Sequence, residues 1–259
     1  MPYIDGDVRL HYRDWGRPGG QPVLLIHGIQ GCAAIWAEVA EGLAGRGFRV
    51  VAYDLRGHGR SGRSDDYQMA AHVRDAAAVI EQLGLAPVAV VGHSLGGSIA
   101  WEAAADRPDL VARLVIEDQH PDADAEAWRG WQEWADAWPR RFGSREGGLG
   151  YLREHGRSVA WWGPSLVPLP AGGWGWAFDI PGVVAMIRLK TESWGSLARV
   201  MQPTLLLRGE RSTHLTAAVA ERMVRTLPYG RALVVPGADH WIHRDAAAYV
   251  AIVAPFLKE

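Results

Sequence analysis

Short apolar runs alternate with amphipathic stretches along most of the chain, and many of the runs end in glycine or a Gly-rich loop. Residues 3–4 and 8–12 alternate apolar and polar on either side of Asp5-Gly6-Asp7, which predicts a β-hairpin. Residues 23–26, 48–53, 88–91, 114–118, 204–208 and 232–235 each read as a short strand. Residues 33–44, 67–83, 217–226 and 245–257, together with a stretch from Leu95 to about Ala105, read as helices, with Gly45, Gly47 and Gly84 as stops. Strands and helices in this order predict an α/β fold: a mostly parallel sheet with helices on both faces. The alternation breaks once. Residues 119–200 hold Trp-rich helical pieces, Gly-rich turns and several prolines, and this is too long for a structureless loop. The expectation is a helical cap, or lid, inserted over the carboxyl ends of the strands, where ligands bind in open α/β sheets. Residues 1–118 and 201–259 would then form the core, and 119–200 the cap.

Composition narrows the classes. A chain of 259 residues with 48% hydrophobic content can bury roughly three quarters of its unfolded surface as one domain. The net charge is −2, and no Lys/Arg run forms a phosphate-tracking stripe, so a nucleic-acid partner is not expected. No apolar stretch approaches the ~18 residues of a spanning helix, and no basic start leads into an apolar run. A cytoplasmic setting without a membrane partner is the expectation. The lone cysteine, Cys32, cannot form an internal disulfide. Nine of the 13 tryptophans lie between Trp128 and Trp194, enough to build a hydrophobic core, an apolar pocket, or both.

The chemical signal is Gly92-His93-Ser94-Leu95-Gly96, a G-x-S-x-G run between an apolar strand and a helix. A serine on so tight a turn needs glycines two residues away on either side, and the following helix aims its first N–H groups at an oxyanion. With this motif in this context, the chain resembles the α/β-hydrolase superfamily of serine hydrolases over nearly its whole length. Leu25-Ile26-His27-Gly28 resembles that family's oxyanion-loop strand, and Asp54-Leu55-Arg56-Gly57-His58-Gly59-Arg60-Ser61 its D-x-R-G-x-G-x-S loop. Residues 203–210 resemble the strand that usually precedes the catalytic acid. Pro236-Gly237-Ala238-Asp239-His240-Trp241 resembles the segment holding the base.

The resemblance implies Ser94 as nucleophile, His240 as general base, and the backbone N–H groups of Ile29 and Leu95 as oxyanion hole. His243 is the near rival for the base. The acid departs from the common pattern, because Ser212 and Thr213 stand where similar proteins carry Asp. In some branches, haloalkane dehalogenases and the zearalenone lactonase among them, the acid ends the strand after the nucleophile helix. That position matches Asp118; Glu117 and Glu210 remain alternatives. Dehalogenase and epoxide-hydrolase chemistry need a carboxylate nucleophile, which Ser94 is not. What remains is acyl transfer through an acyl-serine on an ester, a lactone or a thioester, with lactone favoured. Trp128, Trp131, Trp161, Trp162, Trp176 and Trp241 are the expected walls for an apolar or aromatic small-molecule substrate. No cofactor is implied, and no metal, since no His/Cys/carboxylate set has ligand spacing on one element. The alternatives are a non-hydrolytic enzyme of the same fold (a C–C lyase, cyclase or acyltransferase) and a non-catalytic ligand receptor. The sequence does not speak to oligomeric state.

Overall fold

The computed structural model describes residues 2–123 and 126–259. A short hairpin, β1 (Tyr3–Ile4) and β2 (Leu10–Trp15), leads into β3 (Gln21–Ile26), α1 (Ala37–Ala44), β4 (Phe48–Tyr53), α2 (Met69–Gln82), β5 (Val88–His93), α3 (Leu95–Asp106) and β6 (Val111–Glu117). An insertion follows with α4 (Ala127–Ala137), α5 (Arg145–Glu154), α6 (Val159–Trp162), β7 (Leu166–Pro168), β8 (Trp174–Trp176), α7 (Ile180–Arg188) and α8 (Trp194–Leu197). The chain closes with β9 (Thr204–Gly209), α9 (Ala217–Thr226), β10 (Gly230–Val235) and α10 (Ala246–Lys258).

Eight strands form one sheet in the order β1-β2-β4-β3-β5-β6-β9-β10. β1 and β2 pair antiparallel with their neighbours, and the other six strands run parallel. Side chains alternate across the sheet as the pleat requires. Val23 and Leu25 join the apolar layer under α1 and α10, while Leu24 and Ile26 join the layer under α2, α3 and α9. Full burial on both sides explains why these strands read as unbroken apolar runs. The insertion holds a third apolar cluster of its own, including Trp138, Leu149, Trp162, Trp176 and Phe178, with Ile29, Ile35 and Trp241 packed against it.

Boundaries differ from the sequence reading in physically sensible ways. The segment read as a helix over 33–44 opens as a tight 3-10 turn, Ala33–Trp36, before α1. Tyr67 stays outside α2, and its hydroxyl donates to Asp179 at 2.9 Å. Trp128, Trp131, Trp134 and Trp138 recur at helical spacing in the sequence, but Trp138 lies past the end of α4 in an extended conformation and does not continue the face of the other three. Of the 119–200 segment, residues 124 and 125 lie outside the described residues. Among the described residues no helix is long and apolar enough to cross a membrane.

Candidate active site

Five adjacent parallel strands end on one edge of the sheet, and their exits carry the polar residues of the site. Ser94 leaves β5 and Asp118 leaves β6 at the same level, because His93 pairs with Glu117 in the register. The Ser94 N–H donates to the Glu117 carbonyl at 3.0 Å, and the Asp118 N–H donates to Leu207 on β9 at 2.9 Å. Three non-glycine residues with left-handed backbone are found among those described: Gln30 (φ 65°), Ser94 (φ 52°) and Asp118 (φ 48°). Such a backbone costs energy for a residue with a Cβ and persists only where the surroundings force it. A Cβ on Gly92 would strike the Gly96 carbonyl, and one on Gly96 would strike the Ile26 carbonyl, so the serine turn closes only with glycine at both places.

Asp118 is wholly buried, and its Oδ2 lies 2.8 Å from His240 Nδ1. With Nδ1 donating to the carboxylate, the imidazole keeps its Nε2 lone pair for another proton. The Ser212 hydroxyl donates to the same Oδ2 at 2.6 Å, and the Gly209 N–H donates to Oδ1 at 3.2 Å. The hydroxyl that stands in the usual acid turn therefore supports a carboxylate arriving from the neighbouring strand. Glu117 points elsewhere and engages His243. Glu210 is exposed, and its carboxylate accepts from the Gly237 N–H at 2.8 Å.

Two neutral histidine rings and one indole pack against His240, with a third histidine ring behind them. His93 donates from Nε2 to the His240 carbonyl at 2.9 Å, and its ring lies 4.7 Å from that of His240. The His214 ring stands edge-on at 4.5 Å and donates from Nε2 to Gln119 at 2.7 Å. The third ring, His120, contacts His214 at 4.7 Å, and the Trp241 indole lies 5.3 Å from His240. Burial first, and the nearby His240 second, push His214 down to about 2 and His93 well below the ordinary histidine range. Both rings are neutral near neutral pH.

The loop after β3 is held from the other side. His27 accepts the Leu55 N–H at 3.0 Å on Nε2 and donates from Nδ1 to the Gly28 carbonyl at 2.7 Å. His58 accepts the Gln30 N–H at 3.2 Å. Asp54 takes the Ala33 N–H at 2.7 Å, the Arg60 N–H at 2.9 Å and His11 Nδ1 at 2.8 Å. The buried Arg56 guanidinium meets both oxygens of Asp75 at 2.7 and 2.8 Å. Burial pushes His58 down to about 3, so it serves this loop as a neutral acceptor. Fixed in this way, the N–H groups of Ile29 and Leu95 have no acceptor among the described residues.

Ser94, His240, Ile29 and Leu95 line a single cavity of about 770 Å³. Trp131, Trp161, Trp162 and Trp241 also line it. Two of the expected walls do not. Trp128 lies outside the lining, with Arg188 5.2 Å over its ring. Trp176 is spent on the core of the insertion, stacked at 5.8 Å on Phe178 and bonded to the Pro139 carbonyl at 2.7 Å. The sequence reading missed Gln119, His120, Lys190 and His214 as lining residues. Gln119 and His120 follow Asp118 directly, a signal available in the sequence; Lys190 and His214 gave none. His93, Glu117 and His243 form a buried group with metal-ligand atom types within 4.8 Å of one another. The close Glu117–His243 hydrogen bond accounts for two of its members and the His93 bond to His240 for the third.

The α/β-hydrolase family model matches residues 21–247, and the chain belongs to that family. The lipase LipV of Mycobacterium tuberculosis is 32% identical over 248 residues, covering 85% of each chain. The sn-1-specific diacylglycerol lipase ABHD11 of Mus musculus is 27% identical over 255 residues, covering 93% of this chain and 79% of the relative. Among solved structures, E-2-(acetamidomethylene)succinate hydrolase superposes with a TM-score of 0.88 at 27% identity, over 100% of this chain and 98% of its own.

Proposed function

We propose that the protein is a serine hydrolase that cleaves a carboxylic ester or lactone of an apolar or aromatic small molecule. Ser94 is the nucleophile, His240 the general base and Asp118 the acid. The observation that carries this reading is the convergence of the three left-handed non-glycine residues, Gln30, Ser94 and Asp118, on one site, with Asp118 bonded to the imidazole. Backbone strain of that kind collects where geometry serves chemistry. In the first half-reaction the Ser94 Oγ attacks the carbonyl carbon while His240 Nε2 takes its proton. The oxyanion rests on the Ile29 and Leu95 N–H groups. Collapse breaks the ester C–O bond, and the imidazolium returns its proton to the leaving alkoxide. Water repeats the sequence on the acyl-serine and frees the acid. The insertion at 119–200 acts as the cap, contributing Trp131, Trp161 and Trp162 to the apolar wall.

A fluorophosphonate probe tests the central step. The folded protein is expected to gain one adduct, mapped by mass spectrometry to Ser94 and absent in Ser94→Ala. An unlabelled folded protein, or aryl-ester turnover that survives in Ser94→Ala, sinks the acyl-serine reading. Paired aryl esters and aryl lactones then rank the two leaving-group classes by kcat/KM.

A further inference from the structure

Charge is distributed unevenly over the cavity. Glu102 and Asp106 follow Ser94 along α3 and stand about 12 and 18 Å down the helix axis from it. Asp106 is paired with Arg199 at 2.9 Å, and burial pushes the Glu102 carboxyl upward. The lining also holds a cation, Lys190, just past the end of α7. Its ammonium is partly buried and reaches one acceptor, the His120 carbonyl, at 3.4 Å. Among the described residues no carboxylate lies within ion-pair distance of it. Asp122, which acts on it from further away, takes the Trp194 indole N–H at 2.8 Å and lies 3.8 Å from His120. An ammonium has three donors, and taking it from water without an anion costs free energy. A chain of contacts joins Lys190 to the reaction centre: its ammonium meets the His120 carbonyl, the His120 ring abuts His214, and His214 abuts His240.

We propose that Lys190 receives a carboxylate carried by the substrate, which is then an ester or lactone with a free acid group at one end and an apolar body against Trp131, Trp161 and Trp162. This rests on the serine-hydrolase reading and names its substrate class. Lys190 offers one charge to one carboxylate, while the other cation on the lining, Arg157, lies over the Trp138 and Trp162 rings at 5.7 and 6.0 Å. The neutral rings of His120 and His214 line the gap between acid group and scissile carbonyl, and the lining's own carboxylates, Glu102, Asp106 and Glu192, make no ion pair with Lys190.

The test compares 4-nitrophenyl half-esters of glutaric, adipic and suberic acid with neutral 4-nitrophenyl esters of matched length, on the full chain. The wild type is expected to favour one half-ester length. Lys190→Met is expected to cut kcat/KM for that half-ester at least about tenfold, mainly through KM, and to leave the neutral ester within about twofold. Lys190→Arg keeps most of the preference. Equal losses on both substrates, or no loss on either, overturn the proposal. A second arm needs no turnover. Calorimetry of glutarate and adipate against Ser94→Ala is expected to show binding that disappears in Ser94→Ala/Lys190→Met, and absence of binding in the first variant counts against the site. A protein inert to every ester but still binding these acids through Lys190 refutes the hydrolase reading and keeps the carboxylate site. Efficient turnover without charge preference does the reverse.

Discussion

Glu117 accepts two hydrogen bonds from one residue, His243: from the ring Nδ1 at 2.6 Å and from the backbone N–H at 3.1 Å. Both residues are buried. Glu117 directly precedes Asp118, and His243 lies three residues after His240, so the strand that carries the carboxylate also clamps the segment that carries the imidazole. His93, next to Ser94, ties the same segment through the His240 carbonyl at 2.9 Å. The segment carrying His240 is thus held by the chain neighbours of both Ser94 and Asp118.

Weakening that clamp should cost stability first and rate second. Glu117→Gln removes the charge but leaves an acceptor, and is expected to lower unfolding free energy by about 1–3 kcal/mol. A urea midpoint measures this. The loss in kcat should be smaller than for Asp118→Asn. An unchanged midpoint with unchanged kcat shows that the pair holds nothing.

Substitution of the acid has the larger kinetic effect. Asp118→Asn is expected to reduce kcat by roughly 10⁴, the scale seen where the acid fixes the histidine tautomer. Glu210→Gln should leave kcat near the wild-type value. Because the Ser212 hydroxyl lies 2.6 Å from the oxygen that holds His240, a carboxylate at that position should reach the imidazole once Asp118 is neutral. Asp118→Asn/Ser212→Asp is therefore expected to recover at least about tenfold of the lost rate. Steady-state kinetics on one aryl ester compare all four proteins, and a silent Asp118→Asn would remove Asp118 from the mechanism.

The apolar wall can be separated from the packing inside the proposed cap. Trp131→Ala opens the cavity and is expected to raise KM for an aromatic ester by about tenfold with little change in kcat. Trp128→Ala, outside the lining, should leave KM unaltered. The opposite ranking would mean that substrate lies elsewhere in the insertion.

A pH dependence follows from Lys190. Burial pushes its ammonium down to about 8, against which Asp122 works upward. His120 and His214, which face it, are pushed low and stay neutral, and Glu192 lines the same end of the cavity. The ammonium is present below its folded value and lost above it. The half-ester preference in kcat/KM should thus be fullest below pH 8 and fade as pH rises through 8, while the neutral ester shows no matching decline. A preference that survives well above that pH places the recognition on another group.

The serine turn, the succession of strands and helices around it and the position of Asp118 at the end of a strand were legible because each is encoded locally. Gly92 and Gly96 flank a strand-to-helix turn, and Asp118 closes an apolar run. The walls were not legible in the same way. Trp176 and Trp131 look alike in sequence, yet one fills the insertion's interior and the other the cavity, a choice made by packing between distant segments. Trp138 continues the helical spacing of α4 on paper but leaves the helix, so its ring turns into the cluster. Lys190 and His214 come from segments about 24 residues apart in chain and meet only through the fold.

Seating the proposed acid just past β6 has an evolutionary reading. The turn after β9, relieved of a charge that must stay within hydrogen-bonding reach of a histidine, can drift in length and composition, provided a hydroxyl still meets Asp118. His214 sits in that turn and borders the cavity. Selection could reshape what enters the pocket there while the proton-handling apparatus, anchored in the sheet, stays untouched.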